Sequence, residues 1–268
     1  MNVVRFSAML LVASTLPALG QLHYTPTVQH YRLHASVQRT AIQNGETTNG
    51  QITNEQQVTV TIMPPKSKGT ASERDTLQFA VTLDSVSMSS NLLAQLPDVT
   101  VMRGTRVSGE MLPSGKVLSF TSDSKPADGV DRESIIASMA HFFLMLPTTA
   151  KTGSSWTDTA STNVSKDGVS IKTQTISVSK ILGDTTIAGQ AASRIHRTST
   201  LTISGTQVQS NQTVSMDGAG TGEAMYYIGT NGVFLGSTQS QSMKETVKSA
   251  GMVIPITQTA TNTVTIIP

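Results

Sequence analysis

Apolar and polar residues alternate along most of this chain. Gln29–Thr40 sets Tyr31, Leu33, Ala35 and Val37 against His30, Arg32, His34 and Ser36, a period of two that predicts a half-buried strand. Gln57–Met63 repeats it with Val58, Val60 and Ile62, and Thr76–Leu83 with Leu77, Phe79, Val81 and Leu83. Val86 and Met88 then change parity, which predicts a bulge near Asp84-Ser85. Thr100–Met111 and Lys116–Ser122 read as a hairpin turned at Pro113-Ser114-Gly115. The second half carries longer runs of the same kind, among them Val169–Lys180, Ala191–Ile203, Val233–Lys248 and Met252–Ile267. Turn formers punctuate them: Asn44-Gly45, Asn49-Gly50, Gly183-Asp184, Ala188-Gly189 and Asn231-Gly232.

One stretch breaks the period. In Asp131–Pro147, at about 100° per residue, Ile135, Ile136, Met139, Phe142, Phe143 and Leu146 share a face, and Ser134, Ala137, Ser138 and His141 lie opposite. Asp131 and Glu133 suit a helix start, and Pro147 disfavours helical geometry at Leu146. The pattern predicts one main inserted helix over about 131–146. The fold class expected is therefore mainly β: a large curved antiparallel sheet, half-barrel-like, with that helix docked on it.

The first twenty residues read as an export signal. Arg5 precedes an apolar core at Ala8–Leu19, and Ala18-Leu19-Gly20 supplies small residues for cleavage. The apolar run is too short to span a bilayer, so no transmembrane segment is expected after its removal. The remainder, 21–268, is expected to form a single β-rich domain of two pseudo-halves, about 21–130 and 148–268, joined by the helix. Gly109-Glu110 and Gly222-Glu223, each ahead of a hairpin, are a faint echo between them. With an export signal and no cysteine, the protein is expected to be periplasmic or extracellular, without a disulfide framework.

A net charge of +2 gives no electrostatic case for nucleic acid or anionic membrane. Aromatic residues are 4% of the chain, too few for a stacking platform for bases or sugars. His30 and His34 share a strand face but sit roughly 13 Å apart, too far to hold one ion, so no metal and no cofactor is expected. Ser177–Lys180 matches S-x-x-K, yet an odd offset in a strand sends the two side chains to opposite faces. Gly218–Gly222 precedes no helix and is not a dinucleotide loop. Nothing in the sequence brings Glu110, Asp158 and Glu223 together as an acid–base pair. No catalytic constellation is expected.

The run Phe143-Leu-Met-Leu-Pro147, followed by Gly153-Ser-Ser-Trp156, then Ile187-Ala-Gly189 and the paired Gly-Glu hairpins, resembles an uncharacterised family of exported bacterial β-rich domains. More loosely, many antiparallel strands plus an inserted apolar helix are similar to the half-barrels of lipoprotein carriers in the LolA and LppX group. That resemblance implies acyl-chain binding between a curved sheet and a helical lid. The expected ligand-lining residues are Met139, Phe142, Phe143, Leu146 and Trp156, and the expected partners are a lipid or acyl chain, or another envelope protein contacted through sheet edges.

Overall fold

The computed structural model of the chain describes residues 22–65, 76–91, 98–123, 136, 139, 142–147, 151–166, 169–209, 212–249 and 251–268. The described strands are β1 (Thr27–Gln43), β2 (Glu46–Met63), β3 (Leu77–Ser90), β4 (Arg106–Met111), β5 (Val117–Ser122), β6 (Ser155–Lys166), β7 (Val169–Ile187), β8 (Gln190–Gln209), β9 (Gln212–Gly229), β10 (Phe234–Ser249) and β11 (Met252–Ile267). A short 3₁₀ turn, Val99–Met102, is capped by the Asp98 carboxylate, which accepts from the Thr100 N–H at 3.0 Å.

All eleven strands form one antiparallel sheet in the order β5-β4-β3-β2-β1-β11-β10-β9-β8-β7-β6. Two meanders, β1–β5 and β6–β11, meet where β1 pairs with β11 at the centre, and the sheet does not close on itself. Asn44 and Gly45 turn β1 into β2 with φ of 53° and 80°, the doubly positive geometry that Asn-Gly supplies. Asp84 is the extra residue of the expected bulge, because Leu83 faces Val58 while Ser85 faces Gln57. Two expected turns are instead strand interior: Gly50 lies within β2 opposite Arg39, and Gly183 marks a bulge in β7.

The sheet curls strongly. Val81 on β3 and Tyr226 on β9 line the same opening of about 140 Å³. Five strand spacings separate β3 from β9, about 24 Å if the sheet were flat. On β1, β2 and β3 the apolar parity faces into this curl, whereas on β7 Ile176 and Val178 face out. Tyr31, Val58, Val60, Phe79, Val81, Leu83, Val107, Ile195 and Ile228 are buried there, while the other parity carries His30, Arg32 and His34 outward.

The expected main helix over 131–146 is overturned: no α-helix exists as an element among the described residues. In 131–141 only Ile136 and Met139 are described, with locally helical backbone, and Phe142–Pro147 does not continue it. The physical reason lies in where the backbone of that segment bonds. The Leu146 N–H donates to Ser114 O at 2.7 Å, Leu144 O accepts from the Tyr24 hydroxyl at 3.1 Å, and Met145 O accepts from Trp156 Nε1–H at 3.2 Å. Phe143, Leu144 and Leu146 are buried while Met145 is exposed, a pattern set by partners distant in sequence and not by one helical face. Among the described residues the elements are all-β apart from the 3₁₀ turn, and Phe142–Pro147 is an irregular strap across the inner face.

Candidate ligand trough on the inner face

Paired residues in the register share a face, so the inner surface can be read row by row. One inner row runs Ile181, Ile195, Tyr226, Ser237, Val264, Leu33, Gln56 and Val86 from β7 to β3. The next begins on β6: Trp156, Ser179, Arg197, Ala224, Gln239, Asn262, Ala35 and Asn54. A third runs Asp158, Ser177, Ser199, Gly222, Gln241, Ala260 and Val37. The first of these rows is mostly apolar and the next two are mostly polar.

The strap end is an aromatic cluster. Phe143 meets Tyr24 edge-on with ring centroids 5.2 Å apart and Phe79 at 5.6 Å; Phe142 meets Tyr31 at 5.2 Å and Phe234 at 5.4 Å. The Tyr31 hydroxyl donates to Phe234 O at 2.7 Å. Burial pushes the hydroxyl pKa of both Tyr24 and Tyr31 far above the ordinary tyrosine value, so both stay neutral donors.

Met139 and Phe142, both expected ligand-lining residues, border the 140 Å³ opening together with Phe234, Val58 and Val81. Phe143 and Leu146 are packed in the core beside it, and Trp156 is half-buried against that core with its indole N–H on the strap. Ser237, Gln239 and Asn262 form the opening's polar end. Tyr226, Gln239 and Asn262 also border a second opening of about 330 Å³, which reaches Ser177, Arg197 and Gln241. The two openings adjoin at the three lining residues they share.

Arg197 and Asp158 dominate the polar end. One guanidinium nitrogen of Arg197 donates to both Asp158 oxygens, at 2.7 and 3.0 Å. They stand on β8 and β6, with β7 between, so the pair straddles β7 above Ser177 and Ser179. Only short side chains fit beneath it. The hydroxyl oxygens of Ser177, Ser179 and Ser237 are buried and have no hydrogen-bond partner among the described residues. Tyr226 packs beside Arg197, and burial raises its hydroxyl pKa, opposed by the guanidinium.

The other sequence candidates scatter. Glu223 faces outward and pairs with His196 at 2.7 Å, and Glu110 lies on β4. His30 Nδ1 lies 2.9 Å from Thr59 Oγ1, His34 faces Glu55 at 3.4 Å, and no group of three metal-ligating side chains occurs among the described residues. Ser177 points inward and Lys180 outward. The sequence reading missed Arg197, Tyr226, Gln239 and Asn262. Their signal was a run of polar residues on an otherwise apolar parity, as in Ile195, Arg197, Ser199, Leu201 and Ile203. A wider depression of about 650 Å³ on the outer face lies between Ile176 and Thr259 and is floored by exposed hydroxyls such as Thr200, Thr221 and Ser242.

No family model matches the chain, and no curated protein does. Among solved structures, a loop-deletion mutant of OmpT, an outer membrane protein of Vibrio cholerae, overlaps 89% of this chain and 99% of its own at 7% identity and a TM-score of 0.26. A putative outer membrane lipoprotein-sorting protein domain from Vibrio parahaemolyticus overlaps 88% and 85% at 12% identity and a TM-score of 0.14. A DUF1329 family protein from Desulfovibrio piger overlaps 87% and 84% at 9% identity and a TM-score of 0.15. At these scores the likeness carries no argument about fold or function. Among the described residues no helix is long and apolar enough to cross a membrane, which says nothing of strands.

Proposed function

We propose that this is a non-enzymatic, exported envelope protein that holds an amphiphile in the inner trough. The alkyl end would sit between Met139, Phe142 and Phe234, and the polar end among Gln239, Asn262 and Arg197. One observation carries the reading: an opening of about 140 Å³ bordered by Phe142 of the strap adjoins a more polar one of about 330 Å³, with Tyr226, Gln239 and Asn262 lining both. Together they fall within the range of small-molecule sites, and the apolar end has room for on the order of four or five groups the size of a water. The test is organic extraction of purified protein with mass spectrometry of the extract, plus titration with 1-N-phenylnaphthylamine and competition by short-chain alcohols. Co-purified amphiphile and competed probe uptake are expected. A clean extract with no uptake at any concentration would refute the proposal.

A second reading rests on the open sheet. β6 is a twelve-residue edge strand, and Thr159–Asn163 is exposed on both of its faces. It could add an extended segment of another envelope protein as a further strand. Cross-linking from a cysteine placed at Ser161 would report such a partner. Loss of envelope cross-links that leaves probe uptake intact on mutating β6 would separate this reading from the first.

A further inference from the structure

We infer that the region around Arg197 and Asp158 is a subsite for a neutral polyhydroxylated group, a sugar or glycerol unit, and this deepens the amphiphile reading by naming the polar end. Space comes first. Ser177, Ser199, Gly222, Ala224 and Ala260 keep the inner wall low across β7 to β11, leaving the 330 Å³ opening. At Gly222 even a methyl group would come within 2.6 Å of Ser199 Oγ.

Charge comes second. The Arg197 guanidinium is already neutralised by both oxygens of Asp158, and the Glu223 carboxylate is turned to the outer face by His196. A phosphate or carboxylate head would find no unspent cation among the described residues that line this opening.

Hydrogen bonding comes third. Gln239, Gln241 and Asn262 line the trough with amides that both donate and accept, and the Ser177 and Ser237 hydroxyls buried in its wall have no hydrogen-bond partner among the described residues. A ligand hydroxyl also donates and accepts, so vicinal hydroxyls can satisfy this mixed set. An alkyl chain would leave it unsatisfied, at a desolvation cost. Recognition would come from these polar side chains and not from stacking.

The experiment is calorimetric titration of the full chain with monomeric octyl β-D-glucopyranoside, 1-octanol, octyl phosphate and methyl β-D-glucopyranoside. The glucoside detergent should bind about tenfold or more tighter than octanol or octyl phosphate, the effect of one or two net hydrogen bonds. Ser177→Ala combined with Gln241→Leu should move that ratio toward one, and circular dichroism would confirm the variant's fold. Equal binding of octanol and the octyl glucoside overturns the subsite and leaves the amphiphile reading standing. Binding of methyl glucoside without octanol supports the subsite, assigns it to a free glycan and overturns the amphiphile reading. Preference for octyl phosphate, or no binding by any probe, overturns the subsite.

Discussion

Replacing Phe143 by alanine is the sharpest test of the strap. Its side chain is 9% exposed and lies against three rings, Tyr24 at 5.2 Å and Phe79 and Phe142 each at 5.6 Å. A buried Phe→Ala change costs about 3–5 kcal/mol, part of it the aromatic contacts at about 0.5–1.5 kcal/mol each. In a chain of this size each kcal/mol moves Tm by roughly 2–4 °C, so a fall of about 6–20 °C is expected. Urea unfolding followed by tryptophan fluorescence suits the question. Trp156 is the one tryptophan in the chain, and its indole N–H is bonded to the strap at Met145 O. Phe142→Ala is the contrast: that ring is half-buried at the mouth of the opening, so it should cost about 1–3 kcal/mol and widen the site. A Phe143→Ala protein that lost under about 1 kcal/mol with an unchanged urea slope would show that the strap is not part of the core.

Three further outcomes are expected. Tyr24, Tyr31 and Tyr226 have pKa values raised by burial, so the folded chain keeps protons that the unfolded chain releases. Their contribution is complete below about pH 10 and is lost above it, with a slope near 1.4 kcal/mol per pH unit for each tyrosine. Urea midpoints between about pH 9 and 11 would show this, Tyr24→Phe should flatten the slope, and a pH-independent midpoint would contradict it. Asp158→Asn strands the Arg197 guanidinium, whose side chain is 22% exposed, and should cost about 1–3 kcal/mol, partly recovered on adding Arg197→Met; a loss near zero would mean the pair holds nothing in place. Gly232→Ala should destabilise more than Gly104→Ala. Both have positive φ, at 78° and 83°, but only at Gly232 would the new methyl meet other atoms, His23 O and Thr25 Cγ2; equal melting temperatures would refute the clash.

Much of the fold was legible because a strand's period is local. The inward parity of Tyr31, Val58, Phe79 and Ile195 and the bulge at Asp84 follow from neighbouring residues alone. The strap shows where that stops. Ile136, Met139 and Phe143 do turn inward, as a helical face would require. The path of Phe142–Leu146, however, is set by Tyr24, Ser114 and Trp156, and no local pattern contains those partners. Asn49-Gly50 failed as a turn for the same reason: its cross-strand pairing with Arg39 and Thr40 outweighs the local preference. The polar end of the trough depends on residues from β6 to β11 meeting across a register, so its members read singly as ordinary strand serines and glutamines.

The central pairing of β1 with β11 has a consequence for how the chain is assembled. Arg32 finds Thr265 across some 230 intervening residues, a closure among the longest the polypeptide allows. During synthesis one flank of β1 would stay uncovered until residues 252–267 emerge, and the two meanders would have only partial contacts to hold them together. Acquisition of the final structure should therefore be late and slow, limited by a loop-closure search and not by hairpin formation. A chain shortened by its last sixteen residues would expose a sticky ribbon flank at its middle, prone to pairing with a sister molecule.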